Sequence, residues 1–216
     1  MAQRLVQKVQ APALPVPKDS PLKQYLDDLN NILRLFFNLL TNAVNNVVGE
    51  FGGAFLEVPN ALYYSTVDQT LAATNTGYKI TFNNTYLESG MVLDGGTESE
   101  LTASYSGVYS FQFTGTLTST DSSSKDVYLW LAKNGTDVGF SARPYTISGT
   151  GRMLDITWGF SIDLAVGDYL EFYWSGNSTA VKLDASAAAT PHPGIPSAVI
   201  TVSFVSALPT VAPTPP

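Results

Sequence analysis

The stretch TASYSGVYSFQFTGTL, residues 102–117, decides how the rest of this chain is read. After Gly107, the rings of Tyr109, Phe111 and Phe113 fall on every second residue. A period of two puts them on one face of a β-strand, with Ser110, Gln112 and Thr114 on the other. A strand apolar on one side only has to bury that side against a second layer.

Working outward, the same pattern recurs. DVYLWLAKNGTDV (126–138) is a second strand running into Asn134-Gly135, a dipeptide suited to a tight hairpin turn. In GRMLDITWGFSIDL (151–164), Leu154, Ile156, Trp158, Phe160, Ile162 and Leu164 point one way, and Asp155, Thr157, Gly159, Ser161 and Asp163 the other. A Gly167-Asp168 turn leads into DYLEFYW (168–174), whose Leu170, Phe172 and Trp174 make another inward row. YKITF (78–82), GMVLD (90–94), ESELTA (98–103) and SAVITVSFV (197–205) complete the strand candidates. With no helix among them, the expected architecture is a two-sheet sandwich of jelly-roll type. Tyr128 and Trp130 fall on the nominally outer face of their strand, beside inward Val127, Leu129 and Leu131. A lone subunit would expose them, and a neighbouring copy would cover them.

Upstream of the strands the character changes. Residues 1–21 carry Pro12, Pro15, Pro17 and Pro21, so an extended arm is expected. Its apolar residues Leu5, Val6, Val9, Leu14 and Val16 suit an arm that anchors on a partner. Residues 22–49 read as one helix, with Ser20 or Asp19 able to cap it and Pro21 tolerated in the first turn. Leu22, Leu26, Leu29, Leu33, Phe36, Leu40, Ala43 and Val47 follow a 4-3 spacing. A second register through Tyr25, Ile32 and Leu39 is nearly as apolar, so the stripe is wider than a two-helix seam needs and favours three helices, or packing against another surface such as the domain itself. Such a rod would run roughly 40 Å. Gly49, Gly52 and Gly53 end it, residues 50–71 are expected to connect, residues 72–206 to form the β domain, and the Pro-rich 207–216 to trail as a tail.

Composition narrows the function classes. The net charge is −7, but residues 1–49 hold 5 basic and 3 acidic side chains, and the remainder 6 basic and 15 acidic. A body at −9 repels nucleic acid, and no basic-aromatic stripe offsets it. No cysteine is present, which removes disulfides and thiolate metal sites. No secretory signal and no run of about 18 apolar residues is seen, so a protein made in the cytoplasm and not inserted in a membrane is expected.

Catalytic sets do not emerge. His192 is the lone histidine, in the Pro-flanked loop TPHPGIP, and no G-x-S-x-G elbow accompanies it. Asp94, Glu98 and Glu100 around Gly95-Gly96 are the one candidate calcium set, with a solvated acidic loop as the competing reading. Asn83, Asn134 and Asn177 read as turn residues. No catalytic residue and no cofactor is assigned, and the chain is not read as an enzyme.

Taken together, the β motifs resemble the C1q/TNF-like jelly roll. The pattern Tyr105, Gly107, Tyr109, Phe111, Phe113 is followed by Val127, Leu129, Leu131, Asn134, Gly135, then by Leu164, Gly167, Asp168, Leu170, and finally by Phe204. The resemblance covers about residues 72–206 and implies a homotrimer with an apolar, aromatic subunit interface. Unlike animal members, the chain has no collagen-like Gly-X-Y stalk and no cysteine. The N-terminus has its own resemblance. VQKVQAPALPVP (6–17) and DDLNNILRLFFNLLTNAVN (27–45) are similar to the start of structural proteins of tailed bacteriophages, notably marine podoviruses. Together the two resemblances imply a virion-surface protein: a homotrimeric capsid decoration, cement or head-fibre protein. Its arm would fasten it to the major capsid protein or another virion protein, and its head would project. The alternative they leave is a tail-fibre tip that binds a host-surface receptor, a glycan above all.

Overall fold

The computed structural model describes residues 22–48 and 58–208. The chain forms two compact units, Met1–Glu57 and Val58–Pro216. In the first, the helix α1 spans Lys23–Val48, within a residue of the expected stalk at each end. Of the seam residues, Leu22, Leu26, Leu29, Phe36 and Leu40 are exposed and Leu33 is half-buried. Tyr25, Ile32 and Leu39 of the second register are exposed as well. The arm residues Leu5, Val6, Val9, Leu14 and Val16, the side chain of Val47 and residues 209–216 lie outside the described part. Among the described residues no helix is long and apolar enough to cross a membrane.

The second unit is all strand. In chain order these are β1 (Asn60–Ser65), β2 (Gln69–Thr70), β3 (Tyr78–Lys79), β4 (Asn84–Ser89), β5 (Met91–Leu93), β6 (Leu101–Ala103) and β7 (Gly107–Ser119). They continue as β8 (Lys125–Lys133), β9 (Thr136–Asp137), β10 (Arg143–Ile147), β11 (Met153–Leu164), β12 (Tyr169–Gly176), β13 (Val181–Leu183) and β14 (Ala198–Ser206). All pairings are antiparallel, in two sheets. A strand has only two edges, and β7 gives one to β11 along its length. Hence β14 (on Val108–Gly115) and β13 (on Leu117–Ser119) share the other. The first sheet therefore runs β11, β7, β14 with β13, β1 with β2, then β4. By the same logic the second runs β10 with β9, β8, β12, β6 with β3, then β5. The chain crosses from sheet to sheet between β2 and β3, β3 and β4, β4 and β5, β6 and β7, β7 and β8, β10 and β11, β11 and β12, and β12 and β13. That alternation makes the sandwich a jelly roll.

Burial follows the alternation. Tyr109, Phe111 and Phe113 of β7 face Leu170, Phe172 and Trp174 of β12, all essentially inaccessible. Phe172 is the hub: it lies 5.5 Å from Phe113 and within 6.4 Å of Phe82, Phe111, Trp158 and Phe160. Edge-to-face and offset contacts of this kind add to the area each ring buries.

Two sequence motifs meet in the turns. Asn134 (φ 52°) and Gly135 (φ 74°) take the left-handed backbone that a two-residue hairpin between β8 and β9 demands. The Asn134 side chain donates to Asp168 Oδ1 at 2.8 Å and accepts from the Tyr169 N–H at 2.9 Å. Asp168 also accepts from the Ala165 N–H and pairs with Lys133 at 3.0 Å. The Asn-Gly and Gly-Asp turns are thus one hydrogen-bonded corner. Likewise Gly107 and Phe204 are a single feature: a Cβ on Gly107 would sit 2.1 Å from the Phe204 ring.

Some expectations need correction. The second half of the connector assigned to 50–71 is structural, because β1 and β2 lie in it, with Ala61, Tyr63 and Ser65 of β1 facing the core. Trp130 is not an orphan on an outer face. It stacks on Tyr173 at 5.6 Å, donates from its indole N–H to Asp137 at 2.8 Å, and the Gly77 backbone closes over its edge. Only Tyr128 of that pair is exposed.

Candidate functional site

Neither expected cluster of polar residues is a built centre. Asp94 spends its carboxylate on its own loop, accepting from the Thr97 N–H at 3.0 Å and the Gly96 N–H at 3.4 Å; the Thr97 side chain first, then these backbone bonds, hold its pKa below the usual value. Glu100 faces Lys79 at 3.7 Å instead of joining it. The Lys79 ammonium also pairs with Glu171, which is buried on the outer face of β12. Among the described residues no three histidine or carboxylate side chains are grouped to hold a metal ion. His192 is exposed, with Nδ1 2.9 Å from the carbonyl of Pro193.

The features that ask for a partner are apolar. At one side of the sandwich the edge strands β10 and β11 belong to different sheets, and a groove of about 210 Å³ lies there. Leu131, Val138, Trp158, Phe160 and Ile162 line it, with Arg143 at its margin. The Tyr145 hydroxyl stitches the groove's end shut by donating to the Thr157 carbonyl at 3.2 Å. Beside the groove stands Phe140, whose side chain makes no protection at all from its own subunit (relative exposure 108%). Its φ is +60°, a left-handed backbone that costs a bulky L-residue about 1–2 kcal/mol.

That posture is held in place locally. The Val138 N–H donates to the Leu131 carbonyl, the Leu131 N–H donates to Ser141 Oγ, and Ser141 Oγ donates to the Val138 carbonyl at 2.7 Å. The bracket fixes residues on both sides of Gly139-Phe140, so the ring is presented and not merely loose. A strained and exposed aromatic of this kind is a candidate contact residue. Sequence reading missed Phe140, since nothing in NGTDVGFSARP separates an exposed ring from a buried one.

A second concavity, about 310 Å³, lies at the far end of β1 from Val58. Tyr64 and Thr66 form one wall, and the excursion between β13 and β14 forms the other through Ala185, Ser186, Ala187, Gly194, Ile195 and Pro196. That excursion is a small hairpin, with bridges Ser186–Ile195 and Ala189–His192. Asp68 fastens its base, accepting from the Ala185 N–H at 2.8 Å and pairing with Lys182 at 2.6 Å; both bonds depress its pKa, the Lys182 bond first. At the other foot, Ser197 Oγ donates to the Val67 carbonyl at 2.7 Å. Tyr173 and Tyr145 lie elsewhere, in the Trp130 stack and at the sheet edge.

Strand order and packing define the class as a two-sheet antiparallel jelly roll preceded by a helix. Among solved structures, the globular domain of zebrafish complement 1qA protein is similar to this chain, with a TM-score of 0.44 and 13% identity over 69% of this chain and 99% of that one. No family model and no curated protein matches the chain.

Proposed function

We propose that this chain is a non-enzymatic structural protein of a tailed-phage virion, a homotrimeric capsid decoration, cement or head-fibre protein with a C1q-like head. The observation that carries the assembly is Phe140, a strained and wholly exposed ring beside an apolar groove. A ring on one subunit and a receiving surface on the next make a heterologous contact, which closes only in a cyclic oligomer. Three-fold closure is favoured by the breadth of the helix stripe, where two apolar registers stand exposed. The phage assignment is supported by the resemblance of residues 6–17 and 27–45 to podovirus structural proteins. In this reading the arm docks on the major capsid protein or another virion protein, the acidic head faces solvent, and docked arms stabilise the shell by binding only its assembled form.

Immunogold labelling of purified virions tests the location, and sedimentation equilibrium of the full chain tests the assembly. Regular labelling over heads and a trimer mass support the proposal; a monomer at micromolar concentration refutes the assembly. A second reading, a tail-fibre tip that binds a host receptor, is favoured by the concavity at the end of the head remote from Val58, and labelling confined to tails would put it first.

A further inference from the structure

We infer that the concavity between Tyr64 and the 184–197 excursion is a binding site for one neutral sugar residue of a surface glycan. The inference rests on a head that projects from its attachment, and it holds whether that attachment is to a capsid or to a tail.

Position is the first argument. The chain joins the head at Val58, and β1 carries it to Tyr64 and Thr66 at the opposite end of the sheet. Rigidity is the second. Loop excursions normally lose conformational freedom on binding, yet this one is already tied at both feet, by Asp68 to Ala185 and by Ser197 to Val67 and Ser65. The Ser186–Ile195 bridge holds its middle with two backbone hydrogen bonds of 2.9 Å. A wall ordered beforehand keeps the entropy cost of binding low.

Lining chemistry is the third. At about 310 Å³ the space is at the small end of ligand sites, which start at about 300 Å³. It suits a ring or two and is too small for a folded peptide. Among the described residues no charged side chain lines it, in a domain whose surface is otherwise strongly acidic, so the fitting ligand is uncharged. The Tyr64 ring, Ile195 and Pro196 offer apolar surface to the C–H face of a pyranose. Ser186 supplies a hydroxyl for its rim, and Thr66 Oγ1, held at 3.2 Å by Asn83 and by Asn84, the strand partner of Tyr64, fixes the wall beneath the Tyr64 ring. Small residues at Ala185, Ala187 and Gly194 leave the room: a Cβ on Gly194 would already press to 3.2 Å on the Ser186 carbonyl. The half-open shape takes one unit of a longer chain and lets the remainder leave through the mouth.

The test uses the full-length protein, with backbone amide NMR and a panel of free neutral monosaccharides (glucose, galactose, mannose, N-acetylglucosamine and fucose) at millimolar concentration, followed by an array of neutral and acidic glycans. At least one neutral sugar is expected to shift the amides of residues 185–187 and 194–196 together with Tyr64, saturably. Ala187→Trp fills the space without deleting any bond, and Tyr64→Ala removes the platform; each should weaken binding tenfold or more, whereas Tyr128→Ala on the other sheet should leave it unchanged. Absence of any such shift across the panel overturns the inference, as does binding that survives both variants. Preference for acidic glycans, or for a peptide competitor over sugars, overturns it too. A trimer that labels virions yet binds no sugar would sink this inference alone and leave the proposed assembly standing.

Discussion

Replacing Phe140 with Asn separates a residue that serves the fold from one that serves assembly. In the single subunit the ring buries nothing, so the substitution removes no internal contact. What it removes is strain. Asn tolerates the left-handed region far better than Phe, and at φ +60° the relief is about 1 kcal/mol. For a domain of this size that raises the dissociated subunit's melting temperature by about 2–4 °C. Assembly should move the opposite way. Burying a Phe side chain is worth about 1.5–3 kcal/mol, and a closed trimer would contain three such contacts, or about 5–9 kcal/mol in all. The midpoint of trimer dissociation should then shift to concentrations more than tenfold higher, since each 1.4 kcal/mol is about a factor of ten. Sedimentation velocity over a dilution series reads the association. Urea melts below the dissociation concentration read the subunit. A variant that assembles as tightly as the parent, or whose isolated subunit is less stable, refutes the assignment of Phe140 to a subunit contact.

Three further outcomes are expected. Gly107→Ala places a methyl 2.1 Å from the Phe204 ring and 2.8 Å from the Ser206 carbonyl, so it should cost about 1–3 kcal/mol in chemical denaturation; pairing it with Phe204→Leu should cost less than the two changes summed. Phe172→Ala, which empties the hub of the core, should cost about 3–5 kcal/mol, with the loss of near-UV circular dichroism at temperatures where the parent is folded. Asp168 has its pKa lowered to about 2, first by the Asn134 side chain, then by the Ala165 N–H and Lys133. A carboxylate depressed on folding stabilises fully above its unfolded pKa near 3.8, and that stability is lost as pH falls through the folded value. Melting curves between pH 5 and pH 2 should therefore show an acid-side loss of about 1 kcal/mol, after allowance for solvent screening, that Asp168→Asn abolishes.

How much of this was legible beforehand follows from what each strand buries. In β7, β11 and β12 the inward positions are large apolar residues apart from Gly107, Gly115, Ser119 and Gly176, so the two-residue period stood out in the sequence. The Asn134-Gly135 turn was legible for a local reason too, because few residue pairs accept two consecutive positive φ angles. The helix was marked by its apolar spacing and came within a residue of its observed ends. By contrast β1 turns Ala61, Tyr63 and Ser65 inward, a set with no apolar run, and it passed for connector. β10, absent from the strand candidates, carries Pro144, which removes a ladder donor and is tolerated because β10 is an edge.

Local chemistry thus determined the β class, the aromatic core, the long helix and the turn that joins β8 to β9. Only the tertiary structure decided that Trp130 is packed on Tyr173 while Phe140 is bare. It alone brought Tyr64 and Thr66 against residues 185–196, and the Asn134 turn against Asp168. The physical reason is the same in each case. Periodicity records which face of a strand is apolar, but what lies opposite that face, and whether anything lies there, is fixed by sheet order and by long-range hydrogen bonds between segments far apart in the chain.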